Sequence, residues 1–375
     1  MPVRAAAEVN LAALQRNVRA LRERLTGRAR FCAVVKANGY GHGAVPAAQA
    51  AAEAGADVLA VATADEAGEL REGGLKAPLL VLGAISAEEL PVAVEAGCEL
   101  VAWDERFVAA LSRAVAGRDE PLRVHVKLDT GLGRLGTRDP EQALEVAAAV
   151  QHSPGLALVG AMTHFATADE DLRFAAEQLR SFTAFLERLR LLAPSICAHA
   201  ANSAATLRLS GSHLDMVRCG IAVYGADPLG EDPLAHGLEP VLQLTSYVAA
   251  VKRAEAGQSA GYGRRFVAEQ PTWLATVPIG YGDGVSRALT NNCDALIAGR
   301  RYPLVGMVSM DNITVELGPE PAVKVGEAVT LIGTDGNERQ TAEALARRLG
   351  TINYEVLCRI SARVPRRYHR DGVPA

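Results

Sequence analysis

Lysine is scarce in this chain. Only Lys36, Lys76, Lys127, Lys252 and Lys324 occur among 39 lysine and arginine residues. A lysine retained where arginine is so strongly preferred invites a chemical reason, because a guanidinium stays protonated and is a poor nucleophile. Cysteine is also sparse: Cys32, Cys98, Cys197, Cys219, Cys293 and Cys358 lie far apart with no CxxC spacing. That pattern excludes a disulfide framework and a zinc site, and predicts mostly buried, reduced thiols. The eight histidines form no HExxH or similar cluster, so no metal is expected. Charge of either sign is not in excess, and a net charge of -4 argues against nucleic acid or anionic membrane as the main partner. Apolar runs long enough to span a bilayer are missing, and no apolar stretch follows Met1 as a signal peptide would require. The expected location is the cytoplasm.

What is present is ample core material, with 49% hydrophobic residues in a chain of 375, enough for two or three domains. Asn10 reads as the cap of a helix over 11–25. Strand-like runs follow near 31–36, 58–63, 79–83, 99–103, 122–128, 156–163, 196–199 and 214–218. Between them lie Ala-rich helical stretches such as 64–72, 87–96, 105–116, 140–151 and 171–192. Eight strands alternating with helices predict a (β/α)8 TIM-type barrel rather than an open doubly wound sheet. Around 227–238 proline, glycine and charge cluster as a linker. Runs at 241–252, 272–279, 294–298, 301–308, 312–317 and 328–332, with one helix at 341–349, then predict a mostly β C-terminal domain. The division falls at 1–235 and 236–375, and the basic tail 363–370 reads as a solvated strand.

The polar exceptions within the apolar runs gather at the strands' C-terminal ends, where barrel active sites lie. Lys36 closes the run 31–36 ahead of Gly39, Gly41 and Gly43. Lys127 and Asp129 precede Gly131 and Arg134, and His164 follows 156–163. His199, Asn202 and Ser203 end the seventh run; Arg218, Gly220 and Ile221 end the eighth. Singly, each has a bland reading: a hydrogen-bonded core histidine, a helix cap, an exposed turn lysine or an ion-paired arginine. Together they suit a lysine that bonds a carbonyl covalently beside a phosphate cradle of backbone N–H groups. That combination is the chemistry of pyridoxal 5′-phosphate.

The segments A-V-V-K-A-N-G-Y-G-H-G, K-L-D-T-G-L-G-R-L-G, A-N-S-A-A, V-R-C-G-I-A-V-Y-G, G-Y-G-R-R-F, P-I-G-Y-G-D-G, S-M-D and I-N-Y-E occur in this order. As a set spread over nearly the whole chain, they resemble the signature segments of the alanine racemase family. The resemblance implies a pyridoxal-phosphate enzyme interconverting L-alanine and D-alanine, the latter for peptidoglycan synthesis. It also implies a homodimer in which each C-terminal domain completes the other subunit's site.

Carried over residue by residue, the resemblance makes Lys36 the covalent lysine and one catalytic base, with Tyr262 the opposed base from the other subunit. Tyr40, Asn202, Ser203, Gly220, Ile221 and Tyr354 fall among the cofactor binders. Arg218 would face the pyridine nitrogen, and His164 would link it to the catalytic tyrosine. Arg134 and Met310 resemble the substrate-carboxylate site, while Tyr281 and Asp311 line its approach. Lys127, expected beside Arg134, is a candidate for carbamylation, the alternative being an amine facing Asp129. A pyridoxal-phosphate carrier would lack the second domain and Tyr262. A decarboxylase of this plan would carry a cysteine in place of Tyr262 and an acid in place of Arg218. Serine or broad-specificity racemases share much of the signature.

Overall fold

A computed structural model describes residues 4–320 and 322–375. The chain divides into two compact units that are not contiguous in sequence. One holds residues 15–39 and 44–223; the other holds 4–14, 40–43 and 224–375.

The strands of the first half, in chain order, are β1 (Ala5–Asn10), β2 (Arg30–Val34), β3 (Val58–Val61), β4 (Leu79–Val81), β5 (Cys98–Ala102), β6 (Leu122–Lys127), β7 (Leu156–Met162), β8 (Cys197–His199) and β9 (Met216–Cys219). β2 to β9 form an eight-stranded parallel sheet in the order β8-β7-β6-β5-β4-β3-β2-β9. The end strands β8 and β9 are linked by Asp215 N–H to Ala198 O at 3.0 Å and Arg218 N–H to Ala201 O at 2.9 Å, which nearly close the barrel. β3, β4 and β5 are buried along their whole length. Strands covered on both faces read as continuous apolar runs, which is why these were visible without alternation. Helices Ala44–Glu53, Ala64–Glu72, Glu105–Ala114, Pro140–His152 and Leu172–Leu192 are among those connecting them. Their starts follow the chemistry of orphan N–H groups: Thr63, Asp104, Asp139 and Asp171 each accept from the first turn.

β1 lies outside the barrel. It pairs antiparallel with β10 (Leu242–Tyr247) and parallel with Arg366–Arg370, the strand expected in the basic tail. A sequence division at 235 therefore assigns β1 to the barrel half, whereas its hydrogen bonds belong to the other sheet. Asn10 ends β1 and caps the following helix, Leu11–Glu23, its Oδ1 accepting from Ala12 and Ala13 N–H.

The remaining strands are β11 (Ala250–Ala254), β12 (Ser259–Ala260), β13 (Phe266–Val267), β14 (Thr272–Val277), β15 (Asp294–Ile297), β16 (Arg300–Val305), β17 (Ile313–Gly318), β18 (Ala328–Asp335), β19 (Glu338–Gln340), β20 (Arg366–Arg370) and β21 (Val373–Pro374). Apart from the β12-β13 hairpin they join β1 and β10 in the order β11-β14-β17-β16-β15-β18-β10-β1-β20-β21, with β19 on β18. The run at 241–252 is two strands rather than one. A second helix, Asn353–Cys358, follows the expected one at Ala342–Leu349. Ala254, Ala268, Leu274 and Val305 form a small core beneath the β12-β13 hairpin.

Candidate active site

Lys36 does not sit in a strand, as the run 31–36 suggested. β2 stops at Val34, and Lys36 opens a turn in which Ala37, Asn38 and Gly39 all have left-handed backbone, at φ 52°, 53° and 60°. For Ala and Asn this costs about 1–2 kcal/mol each, so other contacts must hold the turn. Gly39 N–H reaches Val35 O at 2.9 Å, and Asn38 Oδ1 accepts from Ala44 N–H at 2.9 Å. The Glu66 carboxylate accepts from Ala37 N–H at 2.6 Å through one oxygen; through the other it accepts from Ala62 and Thr63 N–H at 2.7 and 3.3 Å. One side chain thus ties the Lys36 turn to the end of β3.

Arg218, on β9, is only 3% exposed. Its Nη1 meets His199 Nδ1 at 2.8 Å, while Nη2 donates to Thr163 O at 2.8 Å and Ala200 O at 3.0 Å and meets His164 Nδ1 at 3.2 Å. No hydrogen bond among the described residues engages Nε–H. Burial lowers the arginine only to about 10, so it remains a cation at neutral pH. His164 is held well below the usual histidine range by desolvation and by the charges of Arg218, Arg134, Lys127 and Lys36. These four cations therefore share one end of the barrel.

Lys127 is buried, and burial together with Arg218 and Arg134 lowers it to about 8. Asp129 offers little relief because its carboxylate is engaged elsewhere. It accepts from Gly131, Leu132 and Gly133 N–H at 2.8–3.1 Å and lies 3.7 Å from Arg138. Those N–H groups outweigh the effect of burial and hold it below its ordinary value.

Ser203, first residue of the short helix Ser203–Arg208, accepts from Gly220 N–H at 2.9 Å and Ala222 N–H at 3.4 Å. Two backbone donors of the 220–222 turn are thereby gathered around one hydroxyl. Asn202 spends its side-chain oxygen on Ala205 N–H as the cap of that helix.

In the other unit, Tyr40 packs with Tyr224 and Tyr354 at ring-centroid distances of 5.1 and 6.1 Å. Tyr262 tops the β12-β13 hairpin and is 72% exposed. Gly261 beside it must be glycine: at φ 72° a Cβ would lie 2.9 Å from Met307 N. Tyr262, Tyr281, Met310, Asp311, Arg287 and Arg359 border a cavity of about 780 Å³. Tyr281 N–H donates to Ser309 O at 2.9 Å, and Asp311 pairs with Arg363 at 2.6 Å.

Sequence reasoning passed over three residues. Glu99 and His125 continue the contacts of Arg218 and His199, with His125 Nδ1 2.8 Å from His199 Nε2 and His125 Nε2 2.7 Å from Glu99 Oε2. Glu66 was also unremarked, although Thr63 and a glutamate three residues later form a capping-box pattern that could have marked it. Asp227, Glu231 and His236 bring ligand-type atoms together, but Asp227 already pairs with His236 Nδ1 at 2.6 Å and accepts from Leu229 N–H at 2.7 Å.

A barrel bearing Lys36, a buried arginine and a backbone donor turn, joined to a mostly β domain, defines a class of two-domain isomerases once relatives are considered. The family model for the alanine racemase N-terminal domain matches residues 9–228, and that for the C-terminal domain matches 241–368. The chain is 39% identical over 367 residues to alanine racemase 2 of Caldanaerobacter subterraneus subsp. tengcongensis, covering 97% of this chain and 95% of the relative. It is 41% identical over 372 residues to alanine racemase 1 of Bacillus subtilis, covering 98% and 93%. Among solved structures, alanine racemase of Bacillus anthracis with bound L-Ala-P superimposes with a TM-score of 0.91 at 38% identity, covering 100% of this chain and 97% of that one. The chain belongs to the alanine racemase family. It is an isomerase that racemises alanine.

Proposed function

We propose that this racemase works with pyridoxal 5′-phosphate and two opposed bases, Lys36 and Tyr262. The donor set supports that cofactor. Lys36, Arg134 and Arg218 bring positive charge to one end of the barrel, and the Ser203 hydroxyl with the 220–222 turn offers donors for a phosphate. The observation that carries the reading is Arg218, pinned through Nη1 and Nη2 with Nε–H left to give to an acceptor such as a pyridine nitrogen. Ser203, Gly220, Ile221, Tyr40 and Tyr354 would hold the phosphate, and Asn202 would stiffen the helix that carries Ser203. Bound there, the cofactor supplies electron delocalisation that acidifies the Cα–H of an attached amino acid. Inversion then needs a base on each face of Cα. Lys36 Nζ takes or returns the proton on one face; Tyr262 Oη, from a second copy of the chain, serves the other. His164, kept neutral, passes polarity between Arg218 and that tyrosine. Arg134 and the Met310 backbone hold the substrate carboxylate, with Tyr281 and Asp311 at the approach.

The barrel domain, to about residue 235, binds the cofactor, and the domain from 236 completes the partner subunit's site in a homodimer. The exposure of Tyr262 and Met310 around an open cavity supports that arrangement. Lys127 is carbamylated: its amine attacks carbon dioxide, forms an N–C bond and releases one proton. The resulting anion would offset the positive charge that Arg218 and Arg134 exert on this side chain. A lowered amine and the engagement of Asp129 elsewhere support this assignment. The enzyme acts in the cytoplasm, where D-alanine supplies peptidoglycan synthesis. Among the described residues no helix is long and apolar enough to cross a membrane.

The test is to incubate the cofactor-loaded protein with single L-amino acids in heavy water, followed by chiral separation and proton NMR. L-alanine should yield D-alanine and lose its Cα–H signal well ahead of serine, lysine and arginine. Tyr262→Phe should stop inversion while exchange at Cα on one face continues. Inversion at the parental rate in that variant would overturn the two-base assignment.

A further inference from the structure

We propose that Glu99 and His125 are positioning residues for racemisation. Through His199 they form a one-way string of hydrogen bonds that locks Arg218 in its working orientation. The inference deepens the reading of Arg218 given above and rests on it.

The direction follows from the two ends. A guanidinium can only donate, so His199 Nδ1, 2.8 Å from Arg218 Nη1, must accept, and the His199 proton must sit on Nε2. That proton points at His125 Nδ1 at 2.8 Å, which places the His125 proton on Nε2, 2.7 Å from Glu99 Oε2. Reading from the other end returns the same answer. Burial pushes the Glu99 carboxyl upward, but hydrogen bonds from His125 and Arg123 prevail and hold it at about 2, so it is an acceptor throughout the neutral range. Arg123 Nε closes the string on Glu99 Oε1 at 2.6 Å. Either histidine in its other tautomer would set two lone pairs or two protons face to face. His199 also stays neutral, held well below the usual range by desolvation and by Arg218, His125, Arg30 and Lys127. The three residues Glu99, His125 and His199 are at most 6% exposed, so water cannot substitute for a missing partner.

Gly160 is the second observation. His125 is on β6 and His199 on β8, so the contact between them must pass β7. Its residue opposite His125 is Gly160. A Cβ there would lie 1.8 Å from His125 Nδ1, the atom that accepts from His199. The backbone of Gly160 is not left-handed, so alanine suits the strand itself. The absent methyl makes room for the ring.

The experiment is imidazole 15N NMR of the full-length protein, with parallel kinetics, on the parent, Gly160→Ala and Glu99→Gln. In the parent, His125 and His199 should both carry a proton on Nε2, and His199 should stay neutral between pH 6 and 8, whether or not cofactor is added. Gly160→Ala should displace the His125 ring, and Glu99→Gln should let an amide point either way. Each variant should then give a second His199 tautomer and lower kcat about tenfold, the scale on which supporting hydrogen-bond partners act, with KM within twofold. A parent His199 that is Nδ1–H or doubly protonated overturns the proposal. So does a mixed tautomer with unchanged kcat, which would make the string structural only. If the parent shows the assigned tautomers but takes up no pyridoxal phosphate, the cofactor reading fails rather than the string.

Discussion

Lys127→Met separates two chemistries by the sign of its effect. Suppose first that Lys127 is a free amine. Its value falls from 10.5 unfolded to about 8 folded, through burial and the charges of Arg218 and Arg134. At about 1.36 kcal/mol per unit, this opposes folding by about 3 kcal/mol. The penalty is full below pH 8, where both states are protonated. It lifts as pH rises from 8 to 10.5, where the unfolded chain holds the extra proton. Methionine, of similar length and uncharged, would then stabilise the protein by about 3 kcal/mol at pH 7. A carbamate reverses the expectation. The anion pairs with neighbouring guanidiniums, each such charged hydrogen bond contributing about 1.5–3 kcal/mol, and Lys127→Met destabilises by about that amount. We expect destabilisation, measured by urea unfolding at pH 7 in bicarbonate, and a 13C-bicarbonate NMR signal that the variant lacks. Stabilisation near 3 kcal/mol with no carbamate signal in the parent would refute the modification.

Other perturbations follow from the same contacts. Glu66→Ala removes a helix cap partner, about 1 kcal/mol, and the acceptor for Ala37, Ala62 and Thr63 N–H. Urea unfolding should show a loss of about 2–4 kcal/mol, with kcat falling as the Lys36 turn relaxes. An unfolding midpoint within error of the parent would remove Glu66 from the turn's support. Glu99, lowered from 4.5 to about 2, contributes stability that is present above pH 4.5 and lost as pH falls toward 2. It is worth about 3 kcal/mol by linkage. Glu99→Gln should flatten that part of the acid unfolding curve, and a curve of unchanged slope would contradict the assignment. Arg134→Lys, which loses the planar fork, should raise KM for alanine about tenfold with a smaller change in kcat. Equal losses in both would point to a role other than carboxylate binding.

Local chemistry made much of this legible in advance. Buried parallel strands announce themselves as apolar runs, and the polar residues that interrupt or follow them, Lys36, Lys127, His164, His199 and Arg218, mark one end of a barrel. Asn10 was readable as a cap because an orphan N–H needs a nearby oxygen. The sequence A-A-A-E-V-N, by contrast, carries no clear period of two, so β1 was invisible until β10 and β20 supplied partners from more than 200 residues away. The left-handed turn after Lys36 was signalled by Gly39 but not by Ala37 or Asn38, which adopt that shape only because Glu66 and Ala44 hold it.

By itself, the amino-acid sequence determined which groups are available: two lysines at or just after strand ends, an arginine where other sites carry an acid, a tyrosine in a tight Gly-Tyr-Gly turn, and the apolar runs that make a barrel. Tertiary structure alone decided which of them touch. Glu99, His125, Gly160, His199 and Arg218 lie on five different strands with no fixed spacing, and any one of them reads as ordinary core. Register across the parallel sheet links Glu99 to His125 at 2.7 Å and His125 to His199 at 2.8 Å, with the His125 ring filling the space that a side chain at Gly160 would need. The physical reason is that a hydrogen bond's direction depends on the partners at both ends, and those ends meet only when the strands are laid side by side.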